Sequence, residues 1–244
     1  MVFGLGYGVL DRGRFVVGDY VLVVEEFGEG LRYRRFFGER LVFDSFIVGV
    51  SRLVLVPIYP VLVPKKITRF VLVEYSGFVD VGPGHSVSFY IYVPVDFAVY
   101  SYGSRGYDVV DVFKGANPKY AVYGPTLGLE RGEAIIARYY KSEIYYEDPG
   151  PRPGLAVTRV HVVNNTDSWV RVSRILIDSN IAILYYEPGS WRACIQELEM
   201  NINTSSTATI RYGEPIYGML RRIDDPKDLK PPRIGALTEM LWGF

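Results

Sequence analysis

Short apolar segments separated by glycine- and proline-containing turns recur along the chain, and this pattern restricts the fold more than any other feature. Segments rich in Val, Ile, Phe and Tyr return about every 8–12 residues, as in Phe15–Glu25 and Arg40–Val50. After the turn at 82–84, apolar and polar residues alternate from Val87 to Pro94, which is the period of a strand. The sequence therefore predicts an all-β protein built from sandwich-like, immunoglobulin-like sheets.

Two strand assignments follow from proline content and hydrophobicity. Leu53–Val63 contains Pro57 and Pro60, so we expect an edge strand or a bent strand there. Thr68–Tyr75 is almost wholly apolar, which favours a central strand that is buried on both faces.

We predict three units along the chain. They are an N-terminal β-sandwich domain over 1–116, a C-terminal β-sandwich domain over 117–212, and a tail over 213–244. In the second unit a turn at 164–168 precedes Trp169, where we expect the chain to re-enter the core. The tail combines a proline-rich spacer with a short predicted helical arm over Ile234–Leu241. Its apolar end is expected to pack on its own sandwich or on a second subunit.

Charge and cysteine content exclude several classes of protein. The chain carries 27 basic and 27 acidic residues, whereas proteins that neutralise phosphates normally show a basic excess. Composition therefore gives no strong evidence for direct nucleic-acid binding. The single cysteine, Cys194, excludes an intrachain disulfide and fits a reducing, cytoplasmic location. The longest apolar run, Leu53–Val63, is about half the length that spans a bilayer, so no membrane is expected.

The residues that carry most enzyme and metal chemistry are scarce. No nucleophile elbow, Walker loop, dinucleotide fingerprint or zinc-protease motif occurs. The two histidines, His85 and His161, are expected at a surface turn and on a strand rather than in a catalytic role. Asp108 and Asp111 are the only tempting metal pair in the first unit, and two carboxylates alone are a weak signal. We therefore predict no metal, no cofactor and no catalytic residue, and an enzyme is the minority hypothesis.

Two acid pairs remain as alternatives. Asp224 and Asp225 lie in the predicted spacer, and Glu197 and Glu199 share one strand face, where a carboxylate pair can serve acid–base chemistry. For the second pair, an exposed carboxylate pair on a sheet edge is the preferred explanation.

Tyrosines and cations are concentrated in a predicted hairpin over 117–146. Strand alternation places Tyr139, Lys141, Glu143 and Tyr145 on the solvent side, and places Arg138 near a rim of the core side. Because Tyr and Arg often anchor interfaces, the hairpin is predicted to be a contact surface. Its candidate residues are Lys119, Tyr123, Arg138, Tyr139, Lys141 and Tyr145. The same pattern also suits an amphipathic edge hairpin with a purely structural role.

Three stretches together resemble one protein family. They are Lys119–Gly124 with Gly132 and Arg138–Tyr145, then Leu62–Ile67 with Glu74, and Val162–Val170. Taken in their order along the chain, these stretches are similar to an archaeal family catalogued as domain of unknown function number 432. The single glutamine, Gln196, and the excess of Arg over Lys also favour a thermophilic source. The resemblance covers most of the chain and implies no established activity, cofactor or partner.

Three hypotheses about function remain open. The leading one is a non-catalytic cytosolic binding or assembly protein, expected to be a homodimer, that contacts a protein or ribonucleoprotein partner. The second is a sandwich that binds or processes carbohydrate, with Glu197, Glu199 or Glu143 as its acids. The third is an RNA-contacting module, because aromatic residues between cations can stack on bases. Acidic residues in and beside the hairpin oppose phosphates: Glu130, Glu133, Glu143 and Glu147.

Overall fold

The computed structural model describes residues 2–3, 6–50, 52–60, 68–103, 106–117, 119–124, 134–204, 207–218, 221–222 and 239–241. Within these ranges the chain forms strands and turns and contains no helix, which confirms the all-β prediction. The strands are β1 (Val2–Phe3), β2 (Gly8–Leu10), β3 (Gly13–Val17), β4 (Tyr20–Phe27), β5 (Gly30–Phe37), β6 (Arg40–Val48), β7 (Arg52–Ile58), β8 (Phe70–Val81), β9 (Ser86–Pro94), β10 (Asp96–Gly103), β11 (Gly106–Phe113), β12 (Lys119–Tyr123), β13 (Ile135–Ser142), β14 (Leu155–Asn164), β15 (Val170–Asp178), β16 (Leu184–Tyr186), β17 (Ala193–Ile202), β18 (Thr207–Pro215), β19 (Arg221–Arg222) and β20 (Glu239–Leu241).

Sheet I has the order β1-β3-β4-β5-β6, in which β3 to β6 form an antiparallel meander and β1 pairs in parallel with β3. Its tight turns contain Gly18, Gly28 and Gly38 with φ of 56°, 57° and 57°, a conformation that glycine adopts without strain. One face of the sheet is buried and includes Leu22 and Tyr33, while the other faces solvent. This half-buried alternation is what the sequence pattern predicts.

Sheet II, in the order β11-β10-β7-β2, lies against the buried face of sheet I. The Tyr33 hydroxyl donates to the Asp111 carboxylate (3.0 Å), and Arg35 reaches the same carboxylate (2.7 Å). The Arg35 guanidinium also lies 4.9 Å from the centre of the Phe113 ring. A buried ion pair with a further hydrogen bond therefore joins the two sheets.

Sheet III has the order β12-β13-β8-β15, and sheet IV contains β19-β16-β17-β14-β9 with β18 and β20 beyond β17. The Tyr75 ring of sheet III meets the Phe89 ring of sheet IV edge to face at 5.3 Å. In addition, the Tyr92 amide donates to the Ser142 hydroxyl (2.9 Å). One face of sheet III thus packs on sheet IV, and its opposite, outer face contains Lys119, Tyr139 and Lys141.

The two pairs of sheets are connected through a kink and an aromatic cluster. β9 of sheet IV runs into β10 of sheet II through Val95 alone. Beside this kink Gly115 and Gly154 are packed backbone to backbone, and a Cβ on Gly115 would collide with the carbonyl oxygen of Val95. Tyr7 packs on Trp191 at 5.2 Å, so one continuous core runs through all four sheets.

The strand pairing crosses the predicted domain boundary at residue 116. β8 and β9 precede this boundary, yet β8 pairs with β13 and β15, and β9 pairs with β14. Sheets I and II draw their strands from 2–58 and 96–113, whereas sheets III and IV use 70–94 and 119–241. Hydrogen-bonded sheets thus span residue 116, and the division into domains at 1–116 and 117–212 stays a prediction.

Three local expectations are corrected by the packing. β7 pairs with both β10 and β2, so it is not an edge strand; Pro57 is tolerated because β2 pairs only as far as Leu55. Trp169 does not enter the core, since 74% of its surface is exposed. Glu239–Leu241, the end of the predicted helix, is a strand paired with β18, and 223–238 lie outside the described residues. By contrast, β8 is a central strand as predicted.

Candidate interaction surface

The β12–β13 hairpin forms as the sequence predicts, and its register determines which side chains share a face. Lys119 lies opposite Tyr139, and Tyr123 lies opposite Ile135. Opposite residues of an antiparallel pair point to the same side of the sheet. Lys119, Tyr123, Tyr139 and Lys141 therefore all belong to the outer face of sheet III.

Two neighbouring strands add residues that the hairpin sequence does not contain. Lys141 lies beside Glu74 of β8, and Glu74 lies beside Arg174 of β15. One carboxylate is thus flanked by two cations in a row across three strands. We call Lys119, Lys141, Arg174, Glu74 and Tyr139 the cationic surface.

The cations of this surface lack carboxylate partners. Within the described ranges, no Asp or Glu oxygen lies within ion-pair distance of Lys119, Lys141 or Arg174. Both lysines are exposed and Arg174 is half-buried. The Arg174 guanidinium lies 5.9 Å from the centre of the Tyr123 ring, a cation–π contact that leaves its charge uncompensated.

The two tyrosines of this face, Tyr139 and Tyr123, contact its charged residues in different ways. The Tyr139 hydroxyl donates to Glu74 (3.2 Å), and burial together with the nearby Glu74 charge raises the pKa of Tyr139. Tyr123 is buried, and burial raises its pKa to about 12 while Arg174 opposes the shift. Tyr139 therefore contributes a ring to the surface, whereas Tyr123 supports Arg174 from inside.

Further along sheet III the charges are paired. The register of β8 and β15 shifts between Val172 and Arg174, and Phe78 is exposed on the opposing stretch. There Arg171 binds Asp80 through two bonds of 2.8 and 2.9 Å and stacks 3.8 Å from the centre of the Phe78 ring. The bonds from Arg171 lower the pKa of Asp80. Exposed Trp169 lies just before β15, next to Gly82, which directly follows β8.

Two predicted residues lie elsewhere. Arg138 is on the inner face of sheet III and is 1% exposed, so its expected position at a rim is wrong. Its Nη2 donates to the Ala116 carbonyl oxygen (3.1 Å), and its Nε and Nη1 have no hydrogen-bond partner among the described residues. β13 ends at Ser142, so the alternation does not extend to Tyr145, which instead exchanges backbone hydrogen bonds with Tyr90 at the edge of sheet IV (2.7 and 3.0 Å).

Glu74, Arg174 and Trp169 were not among the candidate residues. Glu74 and Arg174 are separated in sequence from the hairpin and reach it only through strand order. Alternation along β15 could have indicated the face of Arg174, but the register shift between Val172 and Arg174 interrupts that alternation. Motif residues 62–67 and Gly132 lie outside the described residues.

The acid pair of sheet IV sits beside arginines. Glu197 lies 3.5 Å from Arg159, and Glu199 lies 3.7 Å from Arg211. The Glu199 carboxylate also accepts a hydrogen bond from the Asn201 amide (2.5 Å). Each carboxylate is therefore engaged with a neighbouring arginine, which suits a structural ion pair better than proton transfer.

One pair on sheet IV has the composition of a nucleophilic site. Ser88 Oγ lies 2.8 Å from His161 Nδ1, and His161 is the cross-strand neighbour of Glu199. In the described part of the chain, however, no hydrogen bond joins His161 to Glu199, so the three residues form no relay. The other histidine, His85, is exposed at its turn, and its Nδ1 lies 2.8 Å from the Pro83 carbonyl oxygen.

The remaining candidates concern metals and membranes. Asp111 is occupied by Arg35 and Tyr33, while Asp108 is exposed, so the two carboxylates do not converge. No group of three or more His, Cys, Asp or Glu side chains is arranged to hold a metal ion in the described ranges. Asp224 and Asp225 fall outside those ranges. The described residues also include no helix with the length and apolarity needed to span a membrane.

Comparison with known proteins identifies one family. A family model described as "Protein of unknown function (DUF432)" matches residues 6–241, nearly the whole chain. No curated protein and no solved structure matches the chain significantly. The match confirms the resemblance found in the hairpin and its flanking motifs. It contains no information on source, so an archaeal or thermophilic origin stays a prediction.

Proposed function

We propose that this chain, which belongs to the DUF432 family of unknown function, is a non-catalytic binding or assembly protein that holds an acidic segment of a protein partner. One observation carries the proposal: Lys119, Lys141 and Arg174 lie on the outer face of sheet III, and no carboxylate of the described residues forms an ion pair with them. On a chain with equal numbers of acidic and basic residues, such a local excess of positive charge is a specific feature.

The spacing of the cations suits an extended chain with carboxylates. Lys119 and Lys141 are diagonal neighbours on adjacent strands, about 7–8 Å apart at Cα. Lys141 and Arg174 are separated by one intervening strand, or about 9–10 Å. Acidic side chains that alternate along an extended segment have a repeat of about 7 Å, so two or three can meet these cations at once.

Glu74 favours protein over RNA as the partner. Its carboxylate lies between the cations and accepts a hydrogen bond from Tyr139, and exposed Glu143 lies nearby, bonded to Ser76 (2.8 Å). Fixed negative charges repel a phosphate backbone, whereas a peptide offers amide donors to a carboxylate. Binding to a ribonucleoprotein through its protein component remains compatible with this surface.

The chemistry elsewhere supports a non-catalytic role. The carboxylates Glu197 and Glu199, on which the carbohydrate hypothesis depends, lie beside arginines. For this reason we rank carbohydrate binding or processing below protein binding.

Several finer statements form part of the same proposal. Sheets I and II, and sheets III and IV, are taken as two sandwich-like units, supported by the Tyr33–Asp111 and Tyr75–Phe89 contacts. We also retain a cytoplasmic location without membrane association, a thermophilic archaeal source and a homodimeric state. A short helical stretch before Glu239 stays a prediction as well.

The test is capture of partners from a lysate of the native source. Wild-type protein is compared with the double variant Lys119→Glu/Lys141→Glu and with a control that reverses two exposed charges elsewhere, Arg14→Glu/Lys114→Glu. We expect one protein to be captured by the wild type and the control, and lost with the first variant.

Three outcomes would contradict the proposal. They are no protein captured above an unrelated β-protein, capture that survives the Lys119→Glu/Lys141→Glu change, and capture that is abolished by ribonuclease. The last result would assign the surface to RNA instead.

A further inference from the structure

The outermost strand of sheet I, β6, is long, apolar and without a second neighbour among the described strands. It has nine residues and pairs only with β5. Phe46 is 50% exposed and Val48 is 77% exposed, and Phe27 of β4 extends this patch by contacting Phe46 at 4.5 Å. An exposed apolar edge strand presents unpaired backbone groups and recruits another strand.

The charges on the solvent face beside residues 43–48 of β6 are already paired within one chain. Arg32 binds Asp44 through two bonds of 3.1 and 2.7 Å, and these bonds lower the pKa of Asp44. Arg34 binds Glu25 (2.6 Å), and the Arg32 guanidinium lies 4.8 Å from the centre of the Phe46 ring. Among the described residues, the solvent face beside 43–48 therefore has no excess charge that would select an acidic or a basic partner; exposed Arg40 lies outside this stretch, at the start of β6.

We propose that β6 pairs with β6 of a second copy of this chain, in antiparallel orientation, and that this pairing forms a homodimer. A copy of the same chain matches a surface whose ion pairs are closed, because it introduces apolar side chains and no unbalanced charge. Self-pairing of one edge about a two-fold axis is isologous, so the assembly closes at two chains. The β6 edge of each copy is then covered, which removes the aggregation risk of that free edge.

The register follows from symmetry and charge. A two-fold axis normal to the sheet pairs residues of the same face, so their numbers sum to an even value. The shift opposite Arg35 and Phe36 leaves Val42 as an extra residue, which restricts regular pairing to 43–48. An axis at Asp44 would oppose two carboxylates directly, which is unfavourable. Of the axis positions that remain, we place the axis at Ser45, so that 43–47 pair regularly, Phe43 faces Ile47 of the second copy and Asp44 faces its Phe46.

This interface is separate from the cationic surface. β6 belongs to sheet I, and Lys119, Lys141 and Arg174 belong to sheet III. The five-stranded sheet I becomes continuous across the dimer, while each copy keeps its own cationic surface. Binding at the cationic surface and pairing of β6 can therefore be tested separately, although the homodimeric state is common to both proposals.

A single cysteine at the axis tests the register. In the variant Ser45→Cys, the two introduced thiols lie directly opposite each other, within the Cα separation of about 4.5–5.5 Å that a disulfide spans. The native Cys194 is buried, and burial raises its pKa to about 12, so it does not compete. We expect mild oxidation to convert Ser45→Cys to a covalent dimer, and to leave the exposed control Val16→Cys as single chains.

Charge insertion tests the dimer itself. We expect light scattering of the wild type to give twice the mass of one chain, and Phe46→Lys/Val48→Lys to raise the dissociation constant at least about tenfold. The matched control, Val16→Lys/Val109→Lys, places two lysines at exposed apolar positions on β3 and β11 and should stay dimeric. Circular dichroism confirms that each variant is folded.

The proposal is overturned by a wild-type mass of one chain at every concentration. It is equally overturned by a dimer that persists in Phe46→Lys/Val48→Lys, or by equal cross-linking of Ser45→Cys and Val16→Cys.

Discussion

The solvent faces of sheets I and III are built from the same residue types, but the charges and the apolar groups are distributed in opposite ways. On sheet I, Arg32 and Arg34 each meet a carboxylate of their own, and Phe46 and Val48 are exposed. On sheet III, cations flank a single Glu74, and the apolar residues between them, such as Leu72, are buried.

The difference arises from strand register. Arg32 lies one diagonal step from Asp44, so the pair closes within the sheet. Lys141 and Arg174 both lie directly beside Glu74, which cannot neutralise two cations and also accepts a bond from Tyr139. Composition alone does not decide whether a charged strand is a closed surface or an open one.

The largest expected effect concerns the buried pair that attaches sheet I to sheet II. Changing Asp111→Ala leaves the Arg35 guanidinium, whose side chain is only 13% exposed, without its partner. We expect the free energy of unfolding in urea to fall by about 3–5 kcal/mol. The control Asp108→Ala, on the exposed side of the same strand, should change it by less than about 0.5 kcal/mol. A small loss for Asp111→Ala would mean that sheet I is held mainly by apolar packing.

Binding at the cationic surface and dimerisation through β6 should differ in their dependence on salt. Raising the ionic strength from about 0.05 to 0.5 M should weaken partner binding to the cationic surface by about tenfold, because exposed charges are screened. The β6 dimer buries apolar side chains and closed ion pairs, so its dissociation constant should change by less than about threefold. Sedimentation at both salt concentrations measures the dissociation constant of the dimer. Titration with the captured partner measures its affinity for the cationic surface. Equal salt dependence would remove the distinction between the surfaces.

Arg138 tests whether a cation on the inner face of sheet III stabilises or destabilises the protein. Its guanidinium is buried with one hydrogen bond and no carboxylate partner among the described residues. Arg138→Met keeps most of the side-chain volume and removes a buried charge, so we expect stability in urea to rise by about 1 kcal/mol. Partner capture should be unchanged, because Arg138 does not reach the cationic surface. A loss of more than about 1 kcal/mol would show that the charge is compensated in the folded protein.

The smallest effect is the acid titration of the exposed pairs. Arg32 lowers the pKa of Asp44, and Arg171 lowers that of Asp80. Since both values are depressed on folding, each pair contributes stability above the ordinary value of 3.8, and the contribution is lost as pH falls through the lowered pKa. Carbon-13 spectra should show Asp44 titrating below pH 3.8, and Arg32→Gln should move it back. An unchanged midpoint in Arg32→Gln would exclude the pair as the cause.

Part of the proposed binding surface could be predicted from the sequence. Alternation within one strand, together with pairing across one tight hairpin, is a local property, so Lys119, Tyr139 and Lys141 were placed on one face correctly. Tyr145 was not, because alternation holds only while the strand continues, and β13 ends at Ser142. Glu74 and Arg174 join the surface through β8 and β15, and strand order is a long-range property.

The sequence by itself determined the class of fold, the hairpin and the family. Alternation and turn residues are recorded in neighbouring positions, and the family motif lies in contiguous stretches. Only the tertiary structure decided that β8 and β9 cross the boundary at residue 116, that Arg138 is buried and Trp169 exposed, and which charges are paired. Those outcomes depend on which strands lie side by side. Backbone hydrogen bonds form equally well between any two strands, so the local sequence does not specify which strands become neighbours.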